Sequence, residues 1–315
     1  MTEEFIWDQK YRPKTIDEVI IPDHIKQGFR QYILDKEIPN ILLNSSSPGT
    51  GKTTMALALC NELGVSPFFI NASVDNSIND IRNDVMQYAT TCSMFSDSKK
   101  IIIMDEMDKY SISAQDGLKG IIEKVSKNCR FIGTCNTISR LTDPILSRLT
   151  VIDFAFSTDD LKTVKAKMFK RCQEILTLEN IPYKDVVLAK LVAKYVPDNR
   201  KLIGVLQQFA AQYGAIDEGA LGVLSSCDTD VLMSSMKDGK YGIMKDWVFE
   251  NAGQLSDDFY MKLFKTMEQK ITPQSIPHII LTMGEYQKYH SVVPDRTIHF
   301  LAMLTEIMSD IKFKE

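Results

Sequence analysis

Short stretches of consecutive apolar residues alternate with amphipathic stretches along the first half of this 315-residue chain. Four of the apolar stretches are typical of strands that are covered on both faces of a parallel sheet: residues 41–43, 68–70, 101–104 and 131–135. Apolar residues recur at helical spacing before the first stretch, over residues 23–37, and between later ones, over residues 79–90 and 115–125. This alternation predicts a doubly wound α/β domain whose ligand lies at the carboxyl ends of the strands.

Beyond residue 158 the pattern is helical alone. Apolar residues recur at helical spacing in three stretches that prolines separate: residues 159–178, 184–195 and 200–213. Residues 214–230 are rich in small and polar side chains, which indicates a boundary, and the remainder is again helical in pattern. The predicted fold class is therefore α/β followed by all-α, with domains at residues 1–156, 157–227 and 228–315.

A glycine-rich stretch follows the first predicted strand and leads into a helix-forming sequence; it reads Ser45-Ser46-Ser47-Pro48-Gly49-Thr50-Gly51-Lys52-Thr53-Thr54. Strand, glycine-rich turn and helix form the setting of a phosphate-binding P-loop, where backbone N–H groups and a helix N-terminus surround a triphosphate. Lys52 would reach the β- and γ-phosphates, and the Thr53 hydroxyl would bind Mg²⁺. Ser46 departs from the pattern, which usually has glycine there, and an ordinary glycine-containing turn is the alternative interpretation. The predicted nucleotide contacts are Pro48, Gly49, Thr50, Gly51, Lys52, Thr53 and Thr54.

Acidic and amide side chains follow the third and fourth predicted strands. Asp105 and Glu106 come directly after one strand, and Asn136 comes directly after the next. Because the carboxyl ends of parallel strands meet at one edge of a sheet, we expect these side chains to lie near Lys52. Asp105 would hold Mg²⁺, Glu106 would polarise an attacking water, and Asn136 would orient that water or contact the γ-phosphate. The alternatives are a surface acidic pair and an amide that caps the following turn.

Composition narrows the class of protein without adding a site. The chain is 44% hydrophobic and 25% charged, as soluble globular proteins are, and it has no apolar run of membrane-spanning length and no signal-peptide pattern. Its six cysteines are scattered without a C-x-x-C pair, which favours free, mostly buried thiols over a zinc site. A net charge of −4 argues against non-specific coating of nucleic acid, although a local basic surface remains compatible with it.

The segment from residue 7 to residue 19 lacks the periodicity of the rest of the chain. Pro13 disfavours helix at Arg12, so we expect an ordered loop ahead of the first helix. An aromatic ring at Tyr11 between two cations would either line a nucleotide base or belong to a solvated lead-in segment.

These motifs together resemble the AAA+ ATPases. The resemblance rests on the P-loop, on Asp105-Glu106, on the strand that ends in Cys135-Asn136, and on Leu146-Ser147-Arg148. Lys10-Tyr11-Arg12-Pro13 and Ser147-Arg148 are more specifically similar to clamp loaders of the replication factor C type. Nearly the whole chain resembles the large subunits of tailed-phage sliding-clamp loaders, including Thr272-Pro273-Gln274-Ser275-Ile276 and Gln287-Lys288-Tyr289-His290.

The resemblance implies a role for each matched position. The three domains would be a P-loop domain, a helical lid and a helical collar for oligomerisation. Asn136 would be sensor 1, Arg200 the sensor 2 arginine of the lid, and Arg148 an arginine finger that acts on ATP held by a neighbouring subunit; Leu149 replaces the cysteine that often follows this arginine. A surface salt bridge is the alternative for Arg148. The catalytic set would be Lys52, Asp105, Glu106, Asn136 and Arg148, and the base and lid contacts would be Asp8, Gln9, Lys10, Tyr11, Ile20 and Arg200.

Partners and localisation also follow from the resemblance. It implies a sliding clamp, a clamp-loader small subunit, further copies of this chain in a pentameric ring, and primer–template DNA, all in the cytoplasm of an infected bacterial host. Arg82, Gln115 and Lys119 near two helix N-termini would follow a DNA backbone, and the alternative is ordinary caps and solvated cations. Met94-Phe95 would insert into the clamp or pack against the sheet.

Three functional hypotheses remain open from the sequence. The first is the ATPase subunit of a clamp loader, in which hydrolysis releases the clamp on DNA. The second is another AAA+ DNA motor, such as a branch-migration helicase, which would move along DNA without a clamp. The third is a scaffold that binds ATP only as a structural ligand, against which the intact Lys52, Asp105 and Glu106 argue.

Overall fold

The computed structural model describes residues 4–72, 78–90, 99–217, 229–252, 257–290 and 292–314. The chain divides into two compact units, residues 1–217 and residues 218–315. Residues 157–217 pack within the same unit as the sheet, so the predicted domain boundary at residue 156 stays a prediction.

The first unit is built on a five-stranded parallel sheet with the strand order β2-β3-β4-β1-β5. Its strands are β1 (Ile41–Asn44), β2 (Phe68–Asn71), β3 (Lys100–Asp105), β4 (Cys129–Cys135) and β5 (Thr150–Asp153). The first four confirm the predicted strands. The fifth was not predicted, because it is an edge strand whose Val151 is exposed and whose sequence lacks a continuous apolar run.

Nine helices accompany the sheet in the described part of the first unit: α1 (Trp7–Lys10), α2 (Asp23–Asp35), α3 (Lys52–Glu62), α4 (Ile78–Thr90), α5 (Ile112–Val125), α6 (Asp143–Leu146), α7 (Thr158–Leu178), α8 (Asp185–Tyr195) and α9 (Asn199–Tyr213). The predicted helices are confirmed, with ends that differ by a few residues. The expectation of loop at the N-terminus is wrong for residues 7–10, which form one helical turn that ends ahead of Pro13.

The sheet separates two apolar layers, which explains why its strands read as continuous apolar runs. Leu42 points into the layer formed with α4 and α5, whereas its neighbours Ile41 and Leu43 point into the layer formed with α2 and α3. Alternate residues of a strand face opposite sides, so a strand that is covered on both sides needs apolar side chains at every position. β1, which pairs with β4 on one side and β5 on the other, is therefore an interior strand covered on both faces.

The described part of the second unit is helical, as predicted. Its helices are α10 (Thr229–Lys237), α11 (Tyr241–Glu250), α12 (Asp257–Lys270), α13 (Ile276–Tyr289) and α14 (Arg296–Asp310). They enclose one apolar cluster around Trp247, Leu263, Phe300 and Ile307. Within the described ranges of the whole chain, no helix combines the length and apolarity needed to cross a membrane.

Gly133 in β4 provides a test of this packing. A Cβ atom at Gly133 would overlap Sδ of the buried Met107 and lie 3.1 Å from Cδ1 of Leu42. We predict that Gly133→Ala lowers the free energy of unfolding by about 1–3 kcal/mol, because an added methyl group forces well-packed neighbours to shift. Chemical denaturation followed by circular dichroism measures this change.

Gly28→Ala is the matched control, because Gly28 lies on α2 with open space where its Cβ would be. There the same substitution should raise the free energy of unfolding by about 0.5–1 kcal/mol, since alanine favours helix over glycine. Equal effects of the two substitutions would contradict the packing described for β4.

Candidate nucleotide-binding site

A cleft with about 1070 Å³ of empty volume, open solvent at its mouth included, lies at the carboxyl edge of the sheet. Most predicted nucleotide contacts line it, as do Asp105, Glu106 and Asn136. Gln9 and Lys10 do not line it, nor do Arg148 or the three residues predicted to contact DNA. Lining residues that sequence reasoning did not assign are Arg12, Pro13, Glu18, Thr134, Met168, Arg171, Asn199 and Ile203.

The P-loop joins β1 to α3 and takes a left-handed backbone at two glycines. Gly49 has φ +68° and Gly51 has φ +97°, a region that residues with a side chain rarely adopt. Ser46 needs no such freedom: it is absent from the residues with positive φ in the described part of the chain, and it is solvent-exposed. The departure from the glycine pattern at Ser46 is therefore compatible with the loop's conformation.

Lys52 begins α3 and is almost completely buried. Its ammonium group donates to the carbonyl oxygens of Ser45 and Ser47, both at 3.3 Å, and to Oδ1 of Asn136 at 2.8 Å. These acceptors match the three donors of a lysine side chain. Burial lowers the pKa of Lys52 from its ordinary value, and the surrounding anionic groups, Asp105 among them, partly oppose this effect.

Asp105 lies at the end of β3, where two hydroxyl groups converge on one of its oxygen atoms. Its Oδ1 accepts from Oγ1 of Thr53 at 2.8 Å and from Oγ1 of Thr134 at 2.7 Å. The Thr134 hydroxyl also accepts from the backbone N–H of Glu106 at 3.0 Å. Thr134 therefore ties β4 to the two acidic residues, and its only sequence signal was a hydroxyl within an otherwise apolar strand.

Glu106 has an unusual backbone for a residue with a side chain. Its φ of +57° and ψ of +45° are left-handed, and a short helical turn, Met107–Lys109, follows it. Such strain is often found at functional sites, where surrounding structure holds it. The turn brings Asp108 into the interior, where its Oδ2 accepts from the backbone N–H of Thr137 at 3.2 Å and so links the loops after β3 and β4.

The donor set at Thr53 and Asp105 fits a magnesium ion. Hydroxyl and carboxylate oxygens are the hard ligands that Mg²⁺ prefers, and protein Mg²⁺ sites often use one or two carboxylates together with substrate phosphates. Among the described residues, no group of three or more His, Cys, Asp or Glu side chains could hold a metal ion. Sites of this kind complete the coordination of Mg²⁺ with water molecules and substrate phosphates.

The start of α9 lies against the P-loop. The backbone N–H of Asn199 donates to the carbonyl oxygen of Gly49 at 3.1 Å, and Asp198 caps α9 while lying directly beside Gly49. Arg200 follows on the cleft wall, with its Nε 3.8 Å from Oδ2 of Asp8. Arg200 therefore lines the same cleft as the P-loop, and its role as the sensor 2 arginine stays a prediction.

Residues 5–13, here called the N-terminal strap, close another side of the cleft. Oη of Tyr11 donates to Oε1 of Glu179 at 2.5 Å, and Lys10 pairs with the same oxygen at 2.8 Å. Burial and the neighbouring Glu179 carboxylate raise the pKa of Tyr11, and the bond from Lys10 lowers that of Glu179. Of the five predicted base contacts, Asp8, Tyr11 and Ile20 line the cleft.

Arg148 lies at the opposite edge of the sheet. It precedes β5, whose first residue, Thr150, pairs with Ile41 at the beginning of β1, whereas the P-loop follows the end of β1. Its Nε donates to Oε1 of Glu123 at 2.9 Å, and Nη1 donates to the carbonyl oxygen of Pro144. The structure therefore does not bring Arg148 to the cleft of its own chain.

The residues predicted to contact DNA differ in exposure. Gln115 is buried, and its amide bonds three backbone groups: the carbonyl oxygens of Tyr110 and Arg140 and the N–H of Thr142. Arg82 on α4 is exposed and Lys119 on α5 is half-buried. Contact of these residues with DNA stays a prediction, and Met94-Phe95 lies outside the described residues.

Family models match most of the chain. Residues 42–156 match the ATPase family associated with various cellular activities. Residues 159–222 match the AAA+ ATPase lid domain of the sliding-clamp-loader large subunit, and residues 257–312 match the C-terminal domain of that subunit.

Two curated phage relatives match over nearly the full length, and an archaeal relative matches over most of it. The sliding-clamp-loader large subunit of Enterobacteria phage T4 is 34% identical over 99% of this chain and 98% of its own length. The large subunit of Escherichia phage RB69 is 33% identical over the same shares. The replication factor C small subunit of Archaeoglobus fulgidus is 32% identical over 82% of this chain and 83% of its own length.

Solved structures add evidence on the fold alone. The Thermotoga maritima RuvB Holliday junction branch migration motor superposes with a TM-score of 0.53 at 17% sequence identity, and the match covers 73% of this chain and 80% of the RuvB chain.

The similarity to the phage proteins over nearly the full length and the two domain models specific to them agree with the motifs of the cleft. This chain therefore belongs to the family of sliding-clamp-loader large subunits and is an AAA+ ATPase.

Proposed function

We propose that this chain is the ATP-hydrolysing subunit of a sliding-clamp loader. It opens the DNA polymerase clamp, places it on primer–template DNA, and releases it when ATP is hydrolysed. The observation that carries the proposal is the full-length similarity to two phage clamp-loader large subunits, together with a cleft where Lys52, Thr53, Asp105, Glu106 and Asn136 meet.

The nucleotide is ATP with Mg²⁺. The glycine backbone of the P-loop, Lys52 and Arg200 would bind the phosphates, and Thr53 and Asp105 would hold the ion, whose chemistry is to offset phosphate charge. Arg200 comes from α9, whose first residue already contacts Gly49, so nucleotide contact with the lid is supported by an existing link. The apolar lining residues Ile20, Met168 and Ile203 fit the purine base.

Glu106 polarises the attacking water. Glu106 directly follows Asp105, the last residue of β3, and has a strained left-handed backbone. It therefore lies next to the carboxylate that would hold the metal. Asn136 orients the γ-phosphate or the water, and its bond to Lys52 fixes the two polar groups relative to each other. General base catalysis needs such a carboxylate within hydrogen-bond reach of the water, directly or through one bridging molecule.

Arg148 completes the site of a neighbouring subunit. Within one chain it lies at the edge of the sheet opposite the cleft, where it pairs with Glu123. An arginine at that edge meets a nucleotide only when another subunit brings its own cleft there, and it then stabilises charge on the transferring phosphoryl group. Hydrolysis therefore depends on assembly.

The assembly contains the small subunit, the clamp and further copies of this chain in a pentameric ring, and it acts in the cytoplasm of an infected bacterial host. Exposed Arg82 and half-buried Lys119 contact the DNA backbone.

The second hypothesis, a branch-migration motor, rests on a structural likeness at 17% identity, and no feature of the site favours it. ATP turnover with and without primed DNA, clamp and small subunit tests the proposal, and turnover indifferent to all three would contradict it.

Glu106→Gln tests the hydrolytic site. The amide keeps the size of the side chain but cannot accept a proton, so turnover in the complete loader should fall about 10²–10⁴-fold. Nucleotide affinity, measured by calorimetry, should stay within about threefold, because the phosphate contacts of Lys52 and the P-loop remain. Glu268→Gln, a change of the exposed Glu268 in the second unit, is the control and should leave both quantities unchanged.

Arg148→Ala tests the arginine finger. Removal of the guanidinium should leave ATP binding by the single chain near normal and reduce turnover of the complete loader about 10³-fold or more. Arg30→Ala is the matched control, because Arg30 also pairs with a surface carboxylate, that of Asp17. Unchanged turnover of the Arg148→Ala loader would rule out the finger.

Mixing two inactive variants tests action between subunits. An Arg148→Ala copy has an intact cleft, and a Glu106→Gln copy has an intact Arg148. Loaders assembled from both should regain part of the lost turnover, because some neighbouring pairs combine an intact cleft with an intact finger. No recovery in the mixture would show that Arg148 and Glu106 do not serve the same site across an interface.

A further inference from the structure

The N-terminal strap is bonded to the helices of the lid region. The backbone N–H of Trp7 donates to Oε1 of Gln207 on α9 at 3.0 Å, and Nε2 of Gln207 donates to the carbonyl oxygen of Phe5 at 2.8 Å. From α7, Nη2 of Arg171 donates to the carbonyl oxygen of Tyr11 at 3.3 Å. These bonds join the strap to α7 and α9 over its length.

The chain after the strap is bonded instead to α3, the helix that follows the P-loop. Nδ2 of Asn61 donates to the carbonyl oxygen of Lys14 at 3.0 Å, and the backbone N–H of Ile16 donates to Oε1 of Glu62 at 2.6 Å. Between these two anchorages, Arg12 and Pro13 pass along the cleft wall. Tyr11 is therefore positioned by bonds to the lid region, whereas α3 holds the chain only from Lys14 onward.

Glu179, directly after α7, makes the side-chain contacts that fix Tyr11. One of its oxygen atoms, Oε1, accepts from both the Tyr11 hydroxyl at 2.5 Å and the Lys10 ammonium at 2.8 Å. Hydrogen bonds to a charged carboxylate are stronger than neutral ones and hold their donors in a narrower geometry. The Trp7 ring meets the Tyr11 ring edge-on at 6.4 Å, which supports the same orientation.

We infer that Glu179 is a positioning residue for nucleotide binding, because it holds the ring of Tyr11 on the cleft wall without lining the cleft itself. This inference rests on the proposed function, in which the nucleotide is ATP and its base packs against the apolar lining residues of the cleft. Tyr11 lines the cleft, as do the apolar side chains of Ile20, Met168 and Ile203, and the P-loop and the strand ends line it as well. Loss of the carboxylate leaves the ring free to turn from the base.

Glu179→Ala in the full-length chain is the test, with dissociation constants for ATP and for ADP from calorimetry. We expect both to weaken about tenfold, since the lost charge-assisted bonds act at the base end that the two nucleotides share. In the complete loader, KM for ATP should rise by a similar factor while kcat stays within about twofold. Glu179→Gln keeps an acceptor oxygen and should recover most of the affinity.

Tyr11→Phe separates positioning from general stability. It keeps the ring and removes the hydroxyl, so it should weaken both nucleotides, and adding it to Glu179→Ala should have less than the additive effect. Asp159→Asn is the control, because it removes a negative charge from an exposed site at the other end of α7. The thermal unfolding midpoint without nucleotide should be equal in all variants.

Several outcomes would overturn the inference. These are unchanged affinity in Glu179→Ala, weakening of ATP without ADP, additivity with Tyr11→Phe, or a loss of affinity that follows a lowered unfolding midpoint. If Glu179→Ala does not fold, Tyr11→Phe gives the comparison, because it removes the hydroxyl that Glu179 holds, and Glu179→Gln is then the variant whose affinity should stay near that of the wild type. A wild-type chain that binds neither nucleotide would instead refute the proposed function, and the inference with it.

Discussion

The buried ammonium group of Lys52 is the constraint on which the site depends. A cation removed from water must have its donors satisfied, and here the acceptors are two carbonyl oxygens of the P-loop and the amide oxygen of Asn136. One side chain therefore holds the loop in its curved form and connects it to the end of β4. The same charge is then available to phosphate oxygens, which would replace acceptors that are already close.

Parallel register turns this local arrangement into a hydrolysis site. Because β1, β3 and β4 run in the same direction, the residues that follow them meet at one edge, where the Asp105 carboxylate joins the hydroxyl groups of Thr53 and Thr134. The same register sends Arg148 to the other edge, ahead of β5. Under the proposed function, a single sheet thus separates Arg148 from the cleft of its own chain, and activity requires a neighbouring subunit.

The lid region and the strap form the remaining wall of the cleft. Bonds from Gln207, Arg171 and Glu179 attach the strap to α7 and α9, while Asn199 attaches α9 to Gly49 of the P-loop. A nucleotide in this cleft would contact the P-loop domain and the lid region together.

The sequence by itself determined four of the five strands, the longer helices of the first unit and the left-handed turn between β1 and α3, because each has a local signal. Continuous apolar runs indicate strands covered on both faces, and glycines before Lys52 indicate a turn with positive φ. Asp105, Glu106 and Asn136 were predictable as neighbours, since parallel strands bring their ends together. The edge strand β5 and the helical turn at residues 7–10 were missed, because an exposed strand and a single turn carry weak periodicity.

Only the tertiary structure decided which distant residues form the cleft or support the residues that line it. Thr134, Asp108 and Glu179 have no motif of their own, and their roles arise from what lies opposite them after folding. The sequence also could not predict that Gln115 is buried or that Arg148 pairs with Glu123. Both features depend on contacts between residues that lie far apart in the chain. Local patterns specify elements and their ends, whereas hydrogen bonds between remote segments depend on how those elements pack.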